Sequence, residues 1–107
     1  MQIGEAARRA GLTVKTVRYY ANIGMVTPQQ DVNTGYRVYD EDDVAKLQFV
    51  GKARRFNFSV EECRELLSLY EDRNRPSREV KALTLKKIGQ IDARLEELQS
   101  LKDELST

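Results

Sequence analysis

Two short runs of helically spaced apolar residues parted by a glycine, a turn signal followed at once by β-forming residues, and a last long run with apolar positions every three or four residues predict a mainly α-helical chain. The expected architecture over residues 1–75 is a winged helix-turn-helix, with a short β-hairpin as the wing and linking helices behind it. Residues 76–107 are expected to form a long coiled-coil dimerisation helix. A chain of 107 residues has room for one modest domain and an appendage of this kind, not for two full domains.

Ile3, Ala6, Ala7 and Ala10 share one face of a first helix, and Gly11 ends it. Thr13 stands where the cap of a second helix belongs, Val14, Val17 and Ala21 repeat as its buried stripe, and Gly24 stops it. Two short helices joined by a glycine-containing turn make a helix-turn-helix. At about 100° per residue, Lys15, Arg18, Tyr19 and Asn22 fall on an arc away from that stripe. Such an arc suits the DNA major groove, where Arg and Lys donate to guanine edges and phosphates while a tyrosine hydroxyl reaches the backbone. The competing reading is an amphipathic helix whose polar face is only solvated.

Asn33-Thr34-Gly35 is a turn signal, and Tyr36 to Tyr39 is rich in β-formers, so a hairpin follows directly. Alternation puts Tyr36 and Val38 on one face and Arg37 and Tyr39 on the other. Arg37 is expected to meet a phosphate or the minor groove, and at least one of Tyr36 and Tyr39 to pack the hairpin onto the helices. Asp40 caps a third helix with an acidic first turn and an inner face of Val44, Leu47 and Gly51. That helix ends in "KARRF", where Lys52, Arg54 and Arg55 either add backbone contacts or form a solvated basic last turn. Ser59 and Glu62 make a capping box for a fourth helix, with Val60, Cys63, Leu66, Leu67 and Tyr70 on one face. Cys63 then reads as a small core residue, not a reactive thiol.

"EDRNRP" breaks the pattern, and Ser77 caps a last helix running to about Leu105, a span of about 42 Å. That is too long to lie across so small a domain. Ile88, Ile91, Leu95, Leu98 and Leu105 alternate spacings of three and four, with Lys102 at the intervening core position and Leu101 on the flank. The same helix from a second copy, antiparallel or parallel, is the simplest cover and makes a two-fold homodimer; the antiparallel coiled coil is the form expected.

Composition excludes more than it assigns. With no histidine and a single cysteine, neither an intrachain disulfide nor a Cys/His zinc site can form, and a reducing, cytoplasmic setting fits. No apolar stretch is long enough for a membrane span. Residues 1–39 carry five bases against two acids, a balance of +3, so the basic excess of a chain with net charge +1 lies at its front. The chain also lacks a glycine-rich phosphate loop and convincingly paired carboxylates, so an enzyme is not expected.

Two stretches, "GLTVKTVRYYANIGMVTP" and "NTGYRVYDEDDVAKLQFV", together with the order of elements, resemble the MerR family of bacterial transcription regulators over essentially the whole chain. "VKALTLKKIGQIDARLEELQSLKDEL" and the preceding "RPS" are most similar to the family's copper-efflux regulators. The DNA contacts expected are Lys15, Arg18 and Tyr20 from the second helix and Tyr36 and Arg37 from the wing, with Arg54 as a further phosphate contact. Tyr20 rests on the resemblance alone, whereas helical spacing favours Tyr19. Ser77 occupies the position at which divalent-metal sensors of the family carry a cysteine ligand; a serine there goes with sensors of Cu(I), Ag(I) or Au(I). Those sensors bind the ion through two cysteines in a loop after the long helix, in keeping with soft ligands selecting Cu(I). The sequence reaches Thr107 before any such loop, so no cofactor is expected to bind this chain alone and DNA binding by it is expected to escape metal control, whether it is a truncated form whose full length responds to Cu(I), Ag(I) or Au(I) or a regulator without its sensor. The resemblance implies a dimer on a pseudo-palindromic operator within an overlong promoter spacer, acting on RNA polymerase indirectly by bending and untwisting the DNA. The rival is an excisionase-like architectural DNA-binding protein, which shares the winged helix but has no need of the long apolar helix.

Overall fold

A computed structural model describes all 107 residues, which divide into two compact units, Met1–Leu67 and Ser68–Thr107. The first unit opens with α1 (Ile3–Ala10), which buries Ala6, Ala7 and Ala10 and ends where Gly11 takes φ +73°, a left-handed cap open to glycine at little cost. In α2 (Val14–Asn22) the Thr13 hydroxyl accepts the Thr16 N–H at 3.1 Å, the capping bond that the sequence anticipates. The inner face of α2 differs from the expected stripe. Val17 and Tyr20 are buried, while Val14 and Ala21 are only half-buried. A tyrosine one turn on from Val17 removes far more apolar surface from water than an alanine, so the helix turns that side inward.

The wing pairs β1 (Gln29–Gln30) with β2 (Arg37–Val38) antiparallel, Gln29 opposite Val38 and Gln30 opposite Arg37. Its loop is shaped by Asp31, whose carboxylate accepts the N–H groups of Asn33 at 2.8 Å and Thr34 at 3.1 Å, and by Gly35 at φ +74°. The expected alternation along 36–39 does not hold. Tyr36 and Arg37 are exposed, Val38 is half-buried and Tyr39 is buried. Each strand pairs only two residues, so the pleat does not reach Tyr39. Its backbone is held by Met1 instead: the Tyr39 N–H donates to the Met1 carbonyl at 2.7 Å and the Tyr39 carbonyl accepts from the Met1 nitrogen at 2.6 Å.

Asp40 and Asp43 form a reciprocal capping box that starts α3 (Glu41–Arg55), with bonds of 2.8 and 3.0 Å. Val44, Leu47, Val50, Gly51 and Ala53 line its buried side. Gly51 is required by close approach, since a Cβ there would lie 3.2 Å from the Leu12 side chain. Arg9 clasps the Glu41 carboxylate with both guanidinium nitrogens, joining α1 to the first turn of α3. A second reciprocal box, Ser59 with Glu62, starts α4 (Val60–Glu71), and the Arg64 guanidinium donates to the Ile23 carbonyl at 2.9 Å, tying α4 to the end of α2. Cys63 is buried with Leu67, its thiol turned to the Phe58 carbonyl at 3.8 Å, and burial raises its pKa.

In the second unit Arg73 stacks 3.9 Å from the Tyr70 ring and donates to the Tyr70 carbonyl, closing the end of α4. The Ser77 hydroxyl accepts the Val80 N–H at 3.2 Å and starts α5 (Arg78–Ser106), 29 residues and about 44 Å long. No residue of α5 is buried. Its stripe of Ile88, Ile91, Leu95, Leu98, Leu101 and Leu105 lies exposed, and Leu85 extends it by a turn. The stripe breaks at Lys102, and no helix of the protein is long and apolar enough to cross a membrane.

Candidate nucleic-acid interface

The exposed arc of α2 carries Lys15, Arg18, Tyr19 and Asn22, as helical spacing predicts. Glu5 pairs with Arg8 and Glu41 with Arg9, but Lys15, Arg18 and Arg37 have no carboxylate partner. Cations left unpaired on one face retain their full attraction for an external anion, which internal ion pairs would have spent.

The two tyrosines of α2 point opposite ways. Tyr19 is 47 % exposed and Tyr20 only 4 %, with their rings 5.7 Å apart and tilted. Burial raises the Tyr20 phenol, and the Arg54 guanidinium, close enough to hydrogen-bond it, acts in the opposite sense. Tyr20 therefore sits in the core with its hydroxyl beside Arg54, and Tyr19 is the tyrosine on the outer arc. Arg54 itself is exposed at the end of α3, where it donates to the Phe58 carbonyl at 2.8 Å.

Arg18 and the wing border one space. Gln2, Ile3, Arg18, Tyr36, Arg37 and Tyr39 line one open cavity of about 310 Å³, so a side chain of α2 and two of the hairpin bound the same space. Tyr36, at 69 % exposed, stands at the surface, whereas Tyr39 is buried at the inner side. Burial raises the Tyr39 phenol; Arg37 and Arg18 oppose the rise and Asp43 adds to it. Lys15 and Tyr19 lie outside this lining, on the arc alone. Sequence reasoning missed the contributions of Gln2 and Asp31, whereas the expected packing of at least one of Tyr36 and Tyr39 is met by Tyr39. Asp31 carried a local signal, an aspartate four residues before a turn glycine; Gln2 carried none, and its neighbour Met1 is bonded to Tyr39 across 38 residues of chain.

Comparison with known proteins agrees with this geometry. Residues 1–69 match the family model for MerR HTH family regulatory proteins, and residues 44–107 the model described as MerR, DNA binding. The HTH-type transcriptional regulator HmrR of Rhizobium leguminosarum bv. viciae is 48 % identical over 102 residues, 95 % of this chain and 78 % of the relative. The regulator CueR of Salmonella typhi is 40 % identical over 105 residues, 98 % of this chain and 76 % of the relative. Among solved structures, the transcription regulator PbrR691 from Ralstonia metallidurans CH34, in complex with lead(II), aligns with TM-score 0.65 and 34 % identity, covering 98 % of this chain and 82 % of that one. Two family models that together span the chain, a hairpin wing after a helix-turn-helix and a long unburied last helix leave one assignment: the chain is a DNA-binding transcriptional regulator of the MerR family.

Proposed function

We propose that two copies of this chain, joined through α5, bind a two-fold symmetric promoter site, with Lys15, Arg18 and Tyr19 entering the major groove and Tyr36 and Arg37 gripping the flanking backbone. The observation that carries the reading is the unpaired cationic arc of α2 continuing into the wing around one cavity. Arg54 is a further phosphate contact at the end of α3. Tyr20, at 4 % exposed, supports Arg54 from the core and is dropped from the groove contacts. The exposed stripe from Leu85 to Leu105 supports the dimer, because an apolar face of this length is costly in water and is covered most simply by its own copy.

The regulatory step follows from the resemblance to copper-efflux regulators. The bound dimer bends and untwists the centre of an overlong promoter spacer, and RNA polymerase responds to the altered DNA geometry. The residues of this chain do not fit a coinage-metal site. Such a site needs a pair of accessible thiolates, and Cys63 is single, buried and held in its thiol form, while Ser77 is occupied as a helix cap.

Selection from a random duplex pool, combined with sedimentation equilibrium at micromolar protein, tests the reading. The expected result is a dimer that enriches inverted repeats, and Leu95→Glu yielding a monomer with at least about tenfold weaker binding to them. Enrichment of single, asymmetric sites by a monomeric wild type would refute it.

A further inference from the structure

The cavity between α2 and the wing holds one group that the DNA contacts above leave unused. Tyr39 is 1 % exposed, and its hydroxyl is sealed from solvent with no hydrogen-bond partner. A buried hydroxyl left unsatisfied destabilises the fold that contains it. The ring cannot easily withdraw, because both backbone polar groups of Tyr39 are bonded to Met1. Arg18 from α2 and Arg37 from the wing line the same cavity as Tyr39, and their charges, with that of Asp43 at the start of α3, act on the phenol. Asp43 is already engaged, since its carboxylate accepts the Asp40 N–H at 3.0 Å. The cavity thus offers two uncommitted guanidinium groups, while the uncommitted hydroxyl belongs to a residue of its lining but is closed off from the open space in the free protein. Its volume of about 310 Å³ compares with roughly 30 Å³ for one water in the liquid, so an oxoanion fits with part of its hydration.

A tetrahedral phosphate monoanion matches this donor set, because guanidinium groups bind phosphate oxygens through short charge-assisted hydrogen bonds and a phenol can donate to a remaining oxygen. We propose that this cavity seats a single backbone phosphate of the bound duplex between Arg18 and Arg37, and that the Tyr39 hydroxyl, orphaned in the free protein, donates to one of its oxygens. Tyr36, exposed in the same lining, swings aside as the strand arrives while Arg37 stays on the phosphate, which opens the path to the hydroxyl. The inference rests on the DNA-binding reading and adds to it a buried contact made by no other residue of the wing. It also links folding to binding: the group that costs stability without DNA is satisfied by DNA.

Tyr39→Phe separates the two effects, since it removes only the orphaned oxygen. In the absence of DNA this variant is expected to melt at the wild-type temperature or above it. Its affinity for every duplex, whatever the sequence, is expected to fall about tenfold, the scale of one hydrogen bond to a charged acceptor. Wild-type affinity in Tyr39→Phe overturns the proposal, as does a lowered melting temperature without DNA, which would mean that the hydroxyl is already satisfied. Arg18→Ala and Arg37→Ala report on the underlying reading: if they weaken binding and Tyr39→Phe does not, only the tyrosine contact falls, and if neither weakens it, the interface itself is misplaced. Should millimolar inorganic phosphate at matched ionic strength block duplex binding by the wild type but not by Tyr39→Phe, the occupant is the free ion and the assignment to a backbone phosphate is overturned.

Discussion

The Asp31 carboxylate accepts the backbone N–H of Asn33 at 2.8 Å, and the same oxygen takes the N–H of Thr34. This arrangement substitutes for strand pairing in a hairpin that pairs only two residues a side. The wing's shape therefore depends on one short polar side chain as much as on its ladder. Asp31→Ala is expected to cost about 1 kcal/mol, comparable to loss of a helix cap, and to weaken DNA binding severalfold by loosening the loop that presents Tyr36 and Arg37. Asp31→Asn, which keeps the acceptor, is expected to retain most of both. Thermal unfolding and fluorescence anisotropy of the two variants check this.

Arg37 stands exposed on β2 without a carboxylate partner. If it meets a phosphate, Arg37→Ala weakens binding to specific and random duplexes alike and lowers the slope of log affinity against log salt by about one. A titration over a range of chloride concentrations measures the slope, and an unchanged slope counts against the wing contact.

Tyr19 and Tyr20 are adjacent in sequence yet divide into a surface and a core role, and substitution separates them. Tyr19→Phe is expected to leave stability within about 0.5 kcal/mol of wild type and to weaken DNA binding about fivefold or more. Tyr20→Ala is expected to cost about 3–5 kcal/mol by opening a cavity under α2. Denaturant unfolding beside binding assays tells the two apart.

Arg9 holds the Glu41 carboxyl below its ordinary 4.5 through direct hydrogen bonds, with Coulomb attraction adding to the effect. A carboxylate whose pKa is lowered in the folded state stabilises it fully above the unfolded value, and the contribution fades as pH falls through the lowered one. Glu41→Gln should therefore be less stable than wild type near neutrality, and the gap between them should narrow progressively below pH 4.5. Melting temperatures of both proteins across that range test the sign.

Much of the fold was legible because its punctuation is local. Thr13, Asp40, Ser59 and Ser77 cap helices within three residues of themselves, and Gly11 ends α1 through its own φ. The outer arc of α2 was legible for a similar reason, since helical geometry ties Lys15, Arg18 and Tyr19 to one side once the helix exists. The face of the wing was not, because alternation presumes a ladder longer than the two paired residues present.

By itself, then, the sequence determined the order and limits of the helices, the cationic arc and the apolar stripe of α5, all of which follow from spacing along a single element. Tertiary structure alone decided that Tyr20 faces inward, that Tyr39 is clamped by Met1, and that Arg18 and Arg37 border one cavity. Those outcomes depend on which side of each element gains most by leaving water and on contacts between residues far apart in the chain, and neither is encoded in a local pattern.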